Sequence, residues 1–468
     1  MSEASTEAPQ TQPNRSPALE ALWQRAFEAQ GARRLDEADA AYRDYLAQDP
    51  MSISAWVNFG VVLRGMQRFE GSIACARRAL TMAPGNDVIR NNLANSLNDA
   101  GHYEEALEIR EALLAQTPRD AGRLAAVASS LTWLKRHEEV IARVDQADRE
   151  GWADARPRIQ RGFSLLALGE HGRGFADLEY RHEAGQVDLP DPEPGTLWRG
   201  GSLDGRHLVL TPEQGLGDAI AMARFVPQLQ RLGARKVTFA VRKPVIRLLQ
   251  GTPGADQVVD RMERSERDLY VPLPSLPARL GFDGPPPPPA KLTLPDDSVA
   301  RAKKRTAPFR DLFRVGIVWT GSLTNAINPR RALSPLTMLR FGSIRKVQLF
   351  SLYKGDAHAD FIASGAVGPI VDACGDDRDL ADGAAMAAEM DLVISADTGI
   401  AHAAASLGCE VWVLNAWESF WYWGEEDRTP WYPSVRLFHQ TRRRHWDDVL
   451  DRVDAALRER VAAWEAAR

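Results

Sequence analysis

Three prolines, Pro50, Pro84 and Pro118, stand 34 residues apart, and the text between them repeats. "RRLDEADAAYRDYLAQDP", "QRFEGSIACARRALTMAP" and "GHYEEALEIREALLAQTP" share one register. Leu35, Phe69 and Tyr103 fall at one position of it, and Ala38, Ser72 and Ala106 at another. This fixed period constrains the fold more than any other feature. A unit of two amphipathic helices cannot bury its apolar stripe alone, so it buries it on the next copy and the copies stack. Small residues mark where the helices cross, and a proline ends each unit.

Period and helical pairing are the signature of the tetratricopeptide repeat (TPR). A fourth unit, from about Asp120 to Trp152, keeps Ala128 and Leu131 but lacks the proline. A fifth pair, "PRIQRGFSLLALGEHGRGFADLEYRHE" (157–183), reads as a capping element, because a terminal repeat has one face without a neighbour. The array is expected over residues 17–185, with a groove that binds a protein. Residues 1–16 are polar, lack the apolar core of a signal peptide and read as a disordered tail.

Prolines and glycines in "GQVDLPDPEPGTLW" mark a linker near residues 185–198, after which the pattern changes. Short apolar strands, "HLVL" (207–210), "KVTFAV" (236–241) and "DLYVPL" (268–273), alternate with helical stretches. After the polyproline spacer "GPPPPP" (284–289), a second block carries "RVGIVW" (314–319), "VQLFSLY" (347–353), "DLVISA" (391–396), "EVWVLNA" (410–416) and a helix from about Trp446 to Trp464. Alternation of this kind implies parallel sheets covered by helices. The fold class expected is α plus α/β: a TPR α-solenoid followed by two Rossmann-like lobes, 186–300 and 301–468. Two such lobes are what a GT-B type domain should look like, and the ligand is expected in the cleft between them, beyond the carboxyl ends of the strands.

Composition excludes other classes. Net charge is −5, which gives no broad attraction to nucleic acid or anionic lipid. No apolar run approaches the roughly 20 residues of a membrane span. Cys75, Cys374 and Cys409 are too few and too scattered for a disulfide framework or a zinc cluster, and a reducing cytoplasm fits them.

Four stretches carry candidate chemistry. "TPEQGLGDAIAMARFVPQL" (211–229) follows the first strand; Glu213, Gln214, Gly215 and Gly217 form an acceptor-side turn. Asp218 either acts as general base on an acceptor hydroxyl or simply caps the helix. In "ISADTGIAHAAASLG" (394–408), Thr398, Gly399 and the helix N-terminus suit a phosphate, Asp397 suits sugar hydroxyls, and His402 reaches the same pocket from one turn on. The bland alternative is a cap at Asp397 and Thr398 with a packing role for His402. Arg330 and Arg331 in "GIVWTGSLTNAINPRRALS" (316–334), and Lys354 in "SLYKGD", are cations for a donor phosphate, set against a solvated surface role for Lys354. "WESFWYWGEEDRTPWYP" (417–433) is dense in aromatic rings, which stack on a sugar or base or else pack the lobes together. The acids at 375–377 and 425–427 lack His or Cys partners, and no metal is expected.

The segments "LWRGGSLDGRHLVLTPEQGLGDAIAMARFVP", "RVGIVWTGS", "SLYKG", "DLVISADTGIAHAAASLG" and "RTPWYPSVRLFHQ" resemble bacterial TPR-containing glycosyltransferases. They are similar to the heptosyltransferase-like family and, more loosely, to TPR-bearing O-GlcNAc transferases. The resemblance implies Asp218 as base, donor contacts from Asp397, Thr398, Gly399 and His402, and Lys354 as the second-lobe lysine. Two departures bear on donor identity: Asp382-Gly383 stands where the family has Asp-Thr, and Arg331-Ala332-Leu333 where it has Arg-Ser-Ile. Some relatives modify flagellin, which the resemblance suggests as acceptor. The expectation is thus a metal-independent transferase that moves a sugar from a nucleotide-sugar donor, with no further cofactor, to a Ser or Thr hydroxyl of a protein held by the repeats. Two alternatives stand beside it: an inactive TPR scaffold that only binds peptides, and a lipopolysaccharide sugar transferase.

Overall fold

The computed structural model describes residues 16–187, 196–213, 215–260, 268–325 and 327–468. The expected tail, apart from Ser16, and residues 188–195 of the expected linker lie outside the described residues. The chain divides into two compact units between Ser164 and Leu165.

In the first unit the helices pair as Pro17–Gly31 with Leu35–Gln48, Ile53–Gly65 with Phe69–Met82, Asp87–Ala100 with Tyr103–Gln116, and Ala121–Trp133 with His137–Arg149. The second helix of every pair starts 34 residues after the last one did. Side-chain caps open the first helices: Ser16 accepts from the N–H of Leu19, Ser52 from Ala55, Asn86 from Val88 and Ile89, and Asp120 from Arg123. The fourth unit keeps this cap, at Asp120. Arg33, Gln67, Gly101 and Lys135 turn the chain within each pair at φ 57°, 59°, 88° and 59°, so only one of the four left-handed positions is a glycine. Small residues let the helices approach, and the Ser72 hydroxyl donates to the Gly60 carbonyl at 2.6 Å. Arg110 is buried between repeats, donating to Asn95, Asn98, Ser130 and the Ala126 carbonyl. Burial pushes its guanidinium down to about 10.

The second unit contains, among the described residues, two parallel sheets. The first is built from β1 (His207–Thr211), β2 (Lys236–Ala240), β3 (Gln257–Val259) and β4 (Leu269–Pro272). The second is built from β5 (Phe313–Val318), β6 (Val347–Ser351), β7 (Ile370–Asp372), β8 (Leu392–Ala396), β9 (Val411–Asn415) and β10 (Val435–His439). Their orders are β3-β2-β1-β4 and β10-β9-β8-β5-β6-β7. Numbered from its own first strand, the second sheet has the 3-2-1-4-5-6 order of dinucleotide-binding folds, and the first has the 3-2-1-4 part of it. Register follows the apolar runs: Val209 sits between Thr238 and Tyr270, and Val315 between Leu349 and Leu392. Every residue of β8 and β9 is buried, as strands covered on both faces must be.

Helices His171–Leu178 and Tyr180–Glu183, read from the sequence as the end of the repeat array, fall in this second unit. Helix Asp447–Ala466 carries a buried stripe of Val449, Leu450, Val453, Leu457 and Val461. No helix among the described residues is long and apolar enough to cross a membrane.

Candidate active site

The strand order reverses between β1 and β4 in the first sheet and between β5 and β8 in the second. Loops that leave the carboxyl ends of strands at such a point diverge, which opens a crevice. The candidate turns lie there: Glu213 to Asp218 after β1, Arg331 after β5, and Asp397 to His402 after β8.

The two reversal points meet. Helix Leu216–Met222 leaves the first sheet and helix Gly399–Ser406 leaves the second, and they touch at their starts. A Cβ at Gly399 would lie 3.7 Å from the Gly217 nitrogen, and one at Gly217 would lie 2.6 Å from His402 Cδ2. Gly217 therefore admits the imidazole, a packing reason for a glycine that conformation alone did not reveal.

Asp218 is half-buried. Its Oδ2 accepts the Gly215 N–H at 2.9 Å, and its Oδ1 accepts the Tyr422 hydroxyl at 3.1 Å. The capping role is thus real, and it leaves lone pairs on a carboxylate that also faces the second sheet. Burial raises its pKa; His402, Tyr422 and the Gly215 N–H oppose that rise, and the nearby Asp397 adds to it.

On the second sheet, Arg331 Nη1 donates to Asp397 Oδ2 at 3.1 Å. His402 Nε2 lies 3.7 Å from Asp397 Oδ1, and its Nδ1 is 2.9 Å from the Tyr432 hydroxyl. Burial alone would raise the Asp397 pKa, but His402, Arg331 and Trp423 outweigh it and hold the carboxyl below its ordinary range. Thr398 caps helix Gly399–Ser406 with its hydroxyl toward the Ala401 N–H at 3.5 Å. The first N–H groups of that helix have no intrahelical acceptor, the usual anion-binding arrangement.

The structure gathers Asp218, Gly215, Gly217, Arg331, Asp397, Thr398, Gly399 and His402 at this junction. Glu213 is committed elsewhere: its carboxylate takes both arms of Arg181 at 2.7 Å, with side-chain exposures of 4% and 7%. There it forms a buried ion pair that fixes the turn. Lys354 is exposed, and its ammonium donates to the Asp377 carbonyl. Gln214 lies outside the described residues.

Sequence reasoning named no ring of the aromatic stretch as a site residue. Tyr422, Trp423, Trp431 and Tyr432 are all buried, so the packing alternative describes them. Trp423 lies over His402 with centroids 4.8 Å apart. Arg224, from the first-sheet side, lies over Trp431 and Tyr432, 4.8 Å from each ring, and donates to the Trp431 and Pro287 carbonyls at 3.0 Å. Arg247 joins the two sides again, donating to Asp379 at 3.2 Å. The density of rings was a visible signal; their partners were not.

Comparison with known proteins adds four findings. The tetratricopeptide repeat family model matches residues 63–131. Protein FlbA of Caulobacter vibrioides is 26% identical over 458 residues, spanning 92% of this chain and 71% of that protein. Among solved structures, a MamA double mutant is 13% identical with a TM-score of 0.32, covering 36% of this chain and 96% of its own. A tetratricopeptide repeat protein from Parabacteroides merdae is 16% identical with a TM-score of 0.32, covering 37% of this chain and 69% of its own. The chain carries a TPR protein-interaction region, and at 92% coverage its similarity to FlbA reaches into the sheet unit.

Proposed function

We propose that this chain is a metal-independent glycosyltransferase of the GT-B type, which moves a sugar from a nucleotide-sugar to a Ser or Thr hydroxyl of a protein bound by the repeats. One observation carries the reading: Asp218, from the reversal point of one sheet, faces the Arg331–Asp397–His402 cluster at the reversal point of the other. Asp218 would take the proton of the acceptor hydroxyl, and burial, which raises its pKa, makes its carboxylate a stronger base. Arg331 and the N-terminal amides of helix Gly399–Ser406 would hold the departing phosphate. Lys354 would join them on release from the Asp377 carbonyl. Flagellin is the acceptor the family resemblance suggests, and the three free cysteines suit a cytoplasmic setting.

A second reading, an inactive scaffold, draws on the filling of the junction. Both Asp218 oxygens are occupied, and the cavity beside it holds about 10 Å³, room for roughly one water. Calorimetric titration of the full chain with UDP-, CMP-, GDP- and ADP-sugars separates the two. Binding to one donor, lost in Arg331→Ala, supports the transferase; silence across the panel supports the scaffold. With a donor in hand, an intact-mass shift on flagellin tests the acceptor.

A further inference from the structure

A cavity of about 530 Å³ opens far along the second sheet from the candidate active site. Its lining comes from Gly408 and Glu410 before β9, Ser434 before β10, Trp412 and Arg436 on those strands, Arg428, and one face of helix Asp447–Ala466. It therefore lies at the amino ends of β9 and β10, whereas the candidate active site lies at the carboxyl ends. Its volume is in the range of small-molecule sites.

The charges in it are unevenly matched. Arg460 pairs with Glu410 at 2.9 Å, and Glu410 also accepts from the Trp412 indole at 3.2 Å, so that wall is neutralised. Arg436 has no carboxylate within ion-pair distance among the described residues. Its guanidinium is held over the Phe438 ring at 4.7 Å and the Trp412 ring at 5.8 Å. Arg428 also lacks a carboxylate among the described residues, donating to the Val435 carbonyl at 3.3 Å. The Ser434 hydroxyl is buried with no hydrogen-bond partner. Glu459 is the remaining acid of the lining. Three arginines against two glutamates leave the cavity net positive, with the uncompensated pair on the β10 side.

We propose that this cavity is a binding site for a small organic anion bearing a phosphate or carboxylate group, held by Arg428 and Arg436 and distinct from the donor site. Guanidinium groups suit such anions because their paired N–H groups match two oxygens at once. Stacking fixes Arg436 in advance, so little side-chain freedom is lost on binding. Arg428 stands beside Thr429, whose hydroxyl donates to the Tyr422 carbonyl, so the anion would sit on the segment that carries Tyr422 to Asp218.

The test uses the full chain labelled with ¹⁵N and follows the Trp412 indole N–H, assigned with Trp412→Phe, during titration with inorganic phosphate and with citrate. A saturable shift is expected, absent with chloride at equal ionic strength. Arg428→Ala and Arg436→Ala should each weaken it about tenfold, and Glu459→Gln should strengthen it several-fold. Flotation with phosphatidate vesicles, against phosphatidylcholine alone, separates a lipid headgroup from a free anion as the source. No saturable shift with either anion, or one unchanged in an Arg428→Ala protein that melts like the parent, overturns the proposal.

Discussion

The Tyr422 hydroxyl donates to Asp218 Oδ1 at 3.1 Å, and through that bond a loop of the second sheet grips a helix start of the first. The other oxygen of the same carboxylate closes the helix on the Gly215 N–H. One side chain thus caps a helix, joins two sheets and, in the proposed reaction, receives a proton. Tyr422 is itself pressed among Trp421, Trp431 and His402, with centroids 3.8, 5.2 and 5.5 Å away, so its hydroxyl has little freedom to point elsewhere.

Tyr422→Phe removes a donor that holds the Asp218 pKa down against burial. The acid limb of the transfer rate against pH should move to higher pH. Asp218→Asn should abolish transfer yet leave the melting temperature at pH 7 unchanged or higher. The sign follows from linkage: a carboxyl whose folded pKa lies above its unfolded value of 3.8 contributes fully below that value and loses the contribution as pH rises through the folded one. Near pH 3 the parent and Asp218→Asn should melt together. Full transfer by both variants, with an unshifted profile, would remove Asp218 from the role of base.

Gly217 and Gly399 face each other, yet they should respond differently to the same change. A methyl group at Gly217 meets His402 Cδ2 at 2.6 Å, and that ring is held by Tyr432 and Trp423. Gly217→Ala should destabilise the sheet unit by about 1–3 kcal/mol, the usual penalty of overpacking. At Gly399 the nearest atom is Leu216 Cβ at 3.6 Å, an ordinary contact. Gly399→Ala should keep the parent's stability, and any loss of donor binding would then report close approach of the donor to that backbone. Chemical denaturation of the two variants decides the comparison.

Features of the junction differ in how far the sequence could show them. The repeats were legible because their period is written three times over, and β8 because "DLVISA" is an apolar run that ends in a turn. β3 and β7 are three residues each, too short for any periodicity, and were missed, as was β10, in which Arg436 interrupts the run. The partnership of Asp397 with Arg331 spans 66 residues, and that of Asp218 with Tyr422 spans 204. Separations of that kind leave no local pattern. The partner of Glu213 was hidden for the same reason: its arginine stands 32 residues earlier.

The left-handed turns of the repeats yield a stability prediction. A non-glycine residue at positive φ is strained by roughly 1–2 kcal/mol, and glycine gives back about 0.5–1 through its freedom in the unfolded chain. Gln67→Gly and Lys135→Gly, at φ 59° each, should therefore raise the stability of the repeat unit by up to about 1 kcal/mol. Thermal melting of the two variants against the parent measures it.

Arg331→Ala should lower stability at pH 7 by about 1–3 kcal/mol, because it strips a charged hydrogen-bond donor from a carboxylate only 20% exposed. The Asp397 pKa is depressed, so its contribution is present above the unfolded value of 3.8 and is lost as pH falls through the folded one. The gap between variant and parent should close in that acid range. A gap independent of pH would mean that Arg331 acts through packing alone.

Glu213 separates a structural role from a chemical one. It and Arg181 are nearly excluded from water, and Arg181 also donates to Ser275 at 2.8 Å and Glu179 at 2.9 Å. Glu213→Ala takes away one of the two carboxylates that hold Arg181 and leaves it Glu179, so it should cost roughly 1–3 kcal/mol. An apolar pair, Arg181→Met with Glu213→Leu, should recover much of that loss, because neither charge then needs a partner. Transfer should fall with stability in Glu213→Ala and return in the double variant. If transfer stays lost while stability recovers, Glu213 belongs to the acceptor side after all, and its bond to Arg181 must open for the acceptor to enter.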